Sequence, residues 1–177
     1  MVFRKESTLN KRALIIIDVQ RGLFEKKTEV YESAELIYNI NSLLDIFRRE
    51  EDNIIFIQHC NNSSLKNGSM DWQIHPEIKV TEQDVRICKN KSDVFKENKL
   101  IDFLKKENIK DIVIVGLVTQ GCIQAACLSG KEIGLNITLI GDAHSNFNKN
   151  PKEIINKWNK KLDERGICVI NTDEFIY

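Results

Sequence analysis

The sequence predicts an α/β fold, a three-layer α/β/α sandwich around a mostly parallel, doubly wound sheet of six strands. Short, β-branched and almost continuously apolar runs alternate with helical patterns along the 177 residues. Such runs are typical of strands that are covered on both faces. Alternating strands and helices with right-handed crossovers give a doubly wound sandwich. Because no linker, repeat or low-complexity segment interrupts the pattern, we expect residues 1–177 to form a single domain.

Each predicted element follows from a local pattern. The six strands are predicted at residues 13–17, 54–57, 85–88, 112–118, 137–140 and 167–170. Four helices are predicted where apolar residues recur on one face, around residues 36–47, 100–104, 123–135 and 151–162. Asn150 is expected to be the N-cap of the last helix, with Pro151 at its first position. Residues 60–84 lack strong periodicity, and loops of that length are usually functional or mobile.

The composition excludes several classes of partner. Lysine plus arginine and aspartate plus glutamate both number 26, so the net charge is zero. Because no basic cluster is interleaved with aromatic residues, neither nucleic acid nor an anionic membrane is an expected partner. Residues 1–10 lack an apolar stretch of the secretory type, and the apolar runs are far shorter than the ~20 residues of a membrane span. The five cysteines form no CxxC pair, which fits a reducing cytoplasm better than a disulfide framework or a zinc knuckle.

Chemically capable side chains follow most of the predicted strands. In chain order these residues are Asp18, His59, Lys89, Thr119 with Cys122, and Asp142 with His144. In doubly wound sheets, ligands bind outside the carboxyl ends of the strands. We therefore predict that this edge of the sheet carries a functional site.

Cys122 is the candidate nucleophile, because it lies between an apolar strand and a helical pattern. Free N–H groups and the dipole at a helix start favour thiolate over thiol and can hold an oxyanion. Each candidate also has a purely structural interpretation. Cys122 could be a small packing residue, Asp18 could cap a turn, and Lys89 could be a solvated surface lysine.

Three segments resemble the isochorismatase-like cysteine hydrolases. They are Ala-Leu-Ile-Ile-Ile-Asp-Val-Gln at 13–20, Ile-Cys-Lys at 87–89 with Asp-Val-Phe at 93–95, and Gly-Leu-Val-Thr-Gln-Gly-Cys at 116–122. The resemblance covers residues 12 to 145 and implies a catalytic triad of Asp18, Lys89 and Cys122. In this interpretation Cys122 attacks a carbonyl carbon, and Asp18 takes the thiol proton and later delivers it to the leaving amine. Lys89 lowers the thiol pKa and orients Asp18, and water hydrolyses the resulting thioester.

The resemblance also implies two further features of the site: an oxyanion hole from the backbone N–H groups of Thr119 and Cys122, and a non-proline cis peptide between Val118 and Thr119. It further implies that the protein forms a homodimer or homotetramer. Isochorismatases proper cleave a vinyl ether without a cysteine nucleophile, so Cys122 favours cleavage of a C–N bond in a small amide-type substrate. Ala126 departs from the threonine that is frequent at this position of the family.

Six residues are candidates for the substrate pocket: Gln20, Phe24, His59, Trp72, Gln120 and His144. In metal-containing nicotinamidases of the family, an Asp-x-His pair and a further histidine hold the ion after the second strand. Here that stretch reads Gln58-His59-Cys60-Asn61 and lacks the carboxylate. We therefore predict that the protein uses neither a metal nor an organic cofactor.

Two other functions are compatible with the same fold. One is a doubly wound binding or scaffold module without turnover, for which Asp18 and Lys89 would diverge from Cys122 rather than lie within about 4–6 Å of it. The other is a thiol redox protein, which is disfavoured because no second cysteine lies at CxxC spacing from Cys122. Dinucleotide binding is excluded, since no GxGxxG motif follows a strand.

Overall fold

The computed structural model describes residues 11–176 and contains one six-stranded sheet. The strands are β1 (Arg12–Ile17), β2 (Asn53–His59), β3 (Val85–Lys89), β4 (Asp111–Leu117), β5 (Asn136–Ser145) and β6 (Cys168–Ile170). The helices are α1 (Arg21–Phe24), α2 (Ser33–Arg49), α3 (Asn98–Lys106), α4 (Gln124–Glu132), α5 (Pro151–Asp163) and α6 (Thr172–Ile176). A 3₁₀ turn (Val94–Lys96) precedes α3, and a π-helical turn (Thr119–Ile123) precedes α4.

The strand order is β3-β2-β1-β4-β5-β6, and every pairing is parallel. This confirms the predicted α/β sandwich and its doubly wound sheet. The chain builds outward from β1 to β3 and then restarts beside β1 with β4. The direction of winding therefore reverses between β1 and β4, which is where doubly wound sheets form a crevice for ligands.

Alternation along β1 divides the core into two layers. Ala13, Ile15 and Ile17 pack on the face that contains residues of α3 and α4. Leu14 and Ile16 pack on the other face, together with the apolar side of α2. Residues 13–17 are all buried, as the continuous apolar run predicts for a strand that is covered on both faces.

Strand β5 is longer than predicted. It was expected to end at residue 140, but it continues to Ser145 because a register shift between Ile114 and Gly116 lets it pair again with β4. Asp142 and His144 consequently lie within the strand rather than after it. The two short helices α1 and α6 were not predicted, since four or five residues carry too little periodicity to recognise.

The N-cap prediction was right in position but wrong in mechanism. Asn150 occupies the N-cap of α5, yet its side chain does not accept a backbone N–H. Its amide instead donates to the carboxylate of Glu153 at 3.2 Å. None of the helices within residues 11–176 combines the length and the apolar character that crossing a membrane requires.

The segment 60–84 contains neither a helix nor a strand, as predicted, and its backbone is tied to the chain that follows β1. The N–H groups of Arg21 and Gly22 donate to the carbonyl oxygens of Gln73 and Asp71 at 2.8 and 2.9 Å. An isolated antiparallel bridge joins Gln20 to Ile74 in the same stretch. The loop is therefore held over the carboxyl end of β1 by main-chain atoms.

Gly116 allows β4 to approach β1 directly beside the start of the site. Its φ is +116°, a conformation that L side chains rarely adopt, and a Cβ there would lie 2.1 Å from the carbonyl oxygen of Ile17. Ile17 immediately precedes Asp18, so the lack of a side chain at position 116 determines how closely the two central strands meet at this edge.

We expect Gly116→Ala to lower the free energy of unfolding by more than about 3 kcal/mol, because two central strands would have to separate. The matched control is Gly134→Ala, where φ is also positive at +85° but nothing lies within 4 Å of the new Cβ. That variant should lose only about 1–2 kcal/mol from backbone strain. Urea unfolding of both variants checks this, and equal losses would contradict the packing argument.

Candidate active site

Three elements bring the predicted catalytic side chains together. Asp18 directly follows β1, and its N–H donates to the carbonyl oxygen of Ile57 in β2 at 2.9 Å. Lys89 is the last residue of β3, and Cys122 lies in the π-helical turn after β4. Because β2 separates β3 from β1, only a long side chain on β3 can reach Asp18.

The lysine ammonium lies between the other two groups. Lys89 Nζ is 2.7 Å from Asp18 Oδ2 and 3.2 Å from Cys122 Sγ. The Lys89 side chain is 0% exposed and that of Asp18 is 5% exposed, so water contributes little to their solvation. Asp18 Oδ1 is also buried, and it has no hydrogen-bond partner within residues 11–176. The three side chains converge as the sequence predicted, and one carboxylate oxygen is left free to accept a proton.

The pKa of the Cys122 thiol is raised to about 11, mainly by burial and also by the negative charge of Asp18. The positive charge of Lys89 acts in the opposite direction. The net direction is the reverse of the lowered pKa that the sequence predicted. Desolvation of a thiolate outweighs the nearby cation, so the resting group is a protonated thiol.

The cis peptide lies one residue earlier than predicted. It joins Leu117 to Val118 and not Val118 to Thr119, because β4 ends at Leu117 and the helical turn already begins at Thr119. Within residues 11–176, no backbone carbonyl accepts the N–H of Val118 or Thr119, and none outside the turn accepts that of Cys122. The turn around the thiol thus starts with free N–H donors.

His144 supports this turn from behind. Asn159 Nδ2 donates a hydrogen bond to the carbonyl oxygen of Gly141 at 2.9 Å. Asn159 Oδ1 therefore faces His144 Nε2 at 2.7 Å and accepts a hydrogen bond from its N–H group. His144 Nδ1 then accepts from the Thr119 hydroxyl at 2.9 Å. Burial lowers the pKa of His144 to about 4, which keeps the imidazole neutral. His144 was predicted in the substrate pocket, but its ring is buried and both ring nitrogens have protein partners.

Gln20 ties the end of β2 to the 60–84 loop. Its Nε2 donates to the carbonyl oxygens of His59 and Trp72 at 3.0 and 2.9 Å. Its Oε1 accepts the backbone N–H of His59 at 2.7 Å. Gln58 Nε2 also donates to the Trp72 carbonyl at 2.9 Å. Because its three polar contacts are all to backbone, Gln20 is a positioning residue rather than a group that faces the substrate.

His59 is the predicted pocket residue that lies next to the triad. It pairs with Lys89 across β2 and β3. Burial lowers the pKa of His59, and the charge of Lys89 lowers it further, whereas the charge of Asp18 raises it. A half-buried and mainly neutral imidazole therefore borders the triad.

The contacts of the other three pocket candidates, Phe24, Trp72 and Gln120, do not test whether they face the substrate, so that role stays a prediction. The Phe24 ring packs against His75 with centroids 4.5 Å apart. Trp72 Nε1 donates to Cys60 Sγ at 3.1 Å. Gln120 Oε1 is buried without a hydrogen-bond partner within the described chain. No cluster of three His, Cys, Asp or Glu side chains that could hold a metal ion occurs in residues 11–176.

Comparison with known proteins identifies the family. The protein-family model described as Isochorismatase domain matches residues 12–172 of this chain. The chain belongs to the isochorismatase family. The family consists of hydrolases, so this member is a hydrolase by descent.

Individual isochorismatase relatives span most of the chain. It is 30% identical over 140 residues to the uncharacterized isochorismatase family protein YrdC of Bacillus subtilis, covering 77% of this chain and 75% of YrdC. It is 24% identical over 153 residues to Nicotinamidase 3 of Arabidopsis thaliana, covering 77% and 74%. The crystal structure of a putative isochorismatase hydrolase from Oleispira antarctica superposes with a TM-score of 0.85 at 24% identity, covering 96% and 98%.

Two supporting residues of this isochorismatase-family site were not predicted, although each left a signal. Gln58 is a polar residue at the end of the apolar run 54–57. Asn159 follows Ile155 by four residues and so lies on the apolar side of its helix. A polar residue on a buried face requires a hydrogen-bond partner. This pattern indicates that both residues have a structural role, but it does not show which groups they bind by hydrogen bonds.

The lowered pKa of His144 predicts a pH dependence of stability. Between pH 6.5 and about 4, the unfolded chain binds a proton at His144 that the folded chain does not bind, so the free energy of unfolding falls as the pH falls. The loss should reach about 3 kcal/mol. In His144→Gln this contribution should disappear, which urea unfolding at pH 4, 5, 6 and 7 would reveal as a shallower slope.

The matched control for this measurement is His75→Gln, because His75 is only half-buried and its pKa is lowered mainly by that partial burial. The control should keep the steep slope of the unsubstituted protein. Parallel pH profiles for His144→Gln and the unsubstituted protein would show that His144 is not the titrating group.

Proposed function

We propose that the protein is a cysteine hydrolase that cleaves a C–N bond of a small amide-type molecule through a thioester intermediate and needs neither a metal nor an organic cofactor. The observation that carries this proposal is the position of Lys89 Nζ between Asp18 Oδ2 and Cys122 Sγ, where the lysine and aspartate side chains are almost fully buried and the thiol is partly exposed. Nicotinamidase 3, a relative whose name describes amide hydrolysis, supports the bond type.

The first half of the reaction forms the thioester. A thiol with a pKa of about 11 is almost fully protonated at pH 7, and its ionisation there costs about 5 kcal/mol. The base must therefore lie beside it, and Asp18 has an unpartnered oxygen for this purpose. As Sγ bonds to the carbonyl carbon, the thiol proton passes to Asp18 and then to the nitrogen of the leaving amine.

Lys89 has two roles in this scheme. Its ammonium lies 2.7 Å from Asp18 Oδ2, so it compensates the charge of that buried carboxylate and fixes its orientation. Its contact with Sγ stabilises the thiolate at the moment when the proton leaves. One buried cation therefore serves the base and the nucleophile alternately.

The negative charge on the carbonyl oxygen requires donors in a fixed place. We assign this role to N–H groups at the end of β4 and in the turn that follows it: the predicted Thr119 and Cys122, and also Val118. The Thr119 hydroxyl is fixed by His144, which holds this part of the turn in position. Preorganised donors of this kind contribute about 3–4 kcal/mol each in acyl-transfer enzymes.

The second half of the reaction returns the enzyme to its initial state. Once the amine has left, Asp18 is ionised again and accepts a proton from a water molecule as that water attacks the thioester carbon. The C–S bond breaks, the thiolate recovers a proton, and the carboxylic acid leaves. A binding module without turnover is less well supported, because a buried ion pair carries a desolvation penalty that such a module has no reason to retain.

Replacement of the nucleophile tests the proposal directly. We expect Cys122→Ala to abolish ammonia release from a panel of small primary amides that includes nicotinamide, while the melting temperature changes by only a few degrees. Cys168→Ala is the matched control, because Cys168 is exposed and lies on the edge strand β6. Turnover that survives in Cys122→Ala would refute the nucleophile, and a large loss of melting temperature would indicate a packing role.

The charges around the thiol predict opposite effects of two substitutions. Asp18→Asn removes a charge that raises the pKa of Cys122, so iodoacetamide should label Cys122 faster at pH 7.5, although turnover is lost with the base. Lys89→Met removes the opposing charge, so labelling should become slower and turnover should also be lost. Labelling is quantified for each cysteine by mass spectrometry, after circular dichroism has shown that both variants are folded. Equal labelling rates in both variants would exclude the proposed electrostatic coupling.

A further inference from the structure

A second pair of thiols lies at the same edge of the sheet, outside the triad. Cys60 directly follows β2, and Cys88 is the residue before Lys89 in β3. The two strands pair with Gln58 opposite Cys88, and the N–H of Cys60 donates to the carbonyl oxygen of Lys89 at 2.7 Å. Since side chains alternate along a strand, Cys60 and Cys88 project from the same face.

The two cysteines are neighbours and accessible. Because Gln58 lies opposite Cys88, Cys60 is diagonally adjacent to Cys88 across the two strands, and both cysteines are free. Cys88 is exposed and Cys60 is partly exposed, so a small molecule in solution can reach them. Cys60 Sγ also accepts the indole N–H of Trp72 at 3.1 Å, which links the pair to the 60–84 loop.

We propose that Cys60 and Cys88 form a redox-modification site, at which a low-molecular-weight disulfide oxidises them to an intramolecular disulfide that displaces Lys89 and suppresses the reactivity of Cys122. The site goes beyond the proposed hydrolysis, because disulfide formation does not depend on whether the triad turns over a substrate.

The reaction is a pair of thiol–disulfide exchanges. Although Cys88 is exposed as a residue, partial desolvation of its thiol and then the neighbouring Cys60 raise its pKa to about 11, so Cys88 is suited to react second. The Cys60 thiolate attacks one sulfur of the small disulfide, whose S–S bond breaks and releases one thiol. Cys88 loses its proton to solvent and attacks the Cys60 sulfur of the mixed disulfide, releasing the second thiol. Two protein thiols are oxidised, and one small disulfide is reduced to two thiols.

Bond formation would move the backbone beside Lys89. Parallel strands lie about 4.8 Å apart and rise about 3.3 Å per residue, so diagonal neighbours have Cα atoms about 8 Å apart, whereas a disulfide requires about 4.4–6.8 Å. The strand ends must therefore approach each other by more than about 1 Å. β3 yields most readily, since it is an edge strand with β2 as its only neighbour in the sheet. Lys89 is covalently next to Cys88, and its ammonium makes contacts of 2.7 and 3.2 Å that such a shift would break.

The test uses the full chain and glutathione disulfide. The folded protein is treated, freed of reagent and labelled with iodoacetamide, and each cysteine is followed by peptide mass spectrometry. We expect a cross-linked peptide that contains Cys60 and Cys88, and labelling of Cys122 that is slower by tenfold or more, as one unit of pKa implies. Dithiothreitol should restore the original rate.

Three variants separate the possible outcomes. In Cys60→Ser and Cys88→Ser, glutathione disulfide should leave the labelling of Cys122 unchanged, whereas Cys168→Ser should behave like the unsubstituted protein. Cys60 and Cys88 that remain thiols, or that carry separate glutathione adducts, would overturn the site. A cross-link without slower labelling, or equal slowing in Cys88→Ser, would overturn its coupling to the triad. Absence of amide turnover in the fully reduced protein would count against the proposed hydrolysis and not against the disulfide.

Discussion

The ion pair between Lys89 and Asp18 is the constraint on which the rest of the structure depends. An ammonium group with no solvent exposure is tolerable only beside a countercharge, and removal of either partner from a buried pair typically costs about 3–5 kcal/mol. The pair joins β3 to β1 across β2, so it exists only when these three strands are parallel, adjacent and in register. The contact between Lys89 and Asp18, on which the chemistry of the site depends, therefore forms only when the sheet is correctly assembled.

Polar groups at this edge of the sheet divide into two kinds. Asp18, Lys89 and Cys122 contact one another and leave capacity for a substrate. Gln20 binds backbone of β2 and the 60–84 loop, and His144 binds the side chains of Thr119 and Asn159, so both use their polar atoms to hold protein groups in place. The second kind explains why a turn and a long loop, which are usually the mobile parts of a fold, can present donors and walls at fixed positions.

Most of the fold was predictable, because buried parallel strands have continuous apolar sequences. The convergence of Asp18, Lys89 and Cys122 was predictable too, because polar residues that follow such strands are conspicuous. Properties that depend on distant parts of the chain were not predictable. The extension of β5 required the bulge against β4, and the role of His144 in β5 required Asn159 on helix α5. The position of the cis peptide was wrong by one residue, because the end of β4 is determined by pairing with β5. The pKa of Cys122 was wrong in direction, since burial cannot be judged from sequence.

The main-chain attachment of the 60–84 loop has a consequence for how such proteins evolve. Backbone N–H and carbonyl groups hold its second half, and the Trp72 carbonyl receives two glutamine side chains that lie outside the loop. These contacts do not depend on which side chains the loop carries. Substitutions at exposed positions such as Asn62, Ser64, Lys66, Asn67 and Met70 can therefore accumulate without loosening the anchor or disturbing the triad, whereas Leu65 is buried in the core. Selection for a new substrate can act on this stretch alone, and equivalent stretches from relatives are natural candidates for transplantation onto the same sheet.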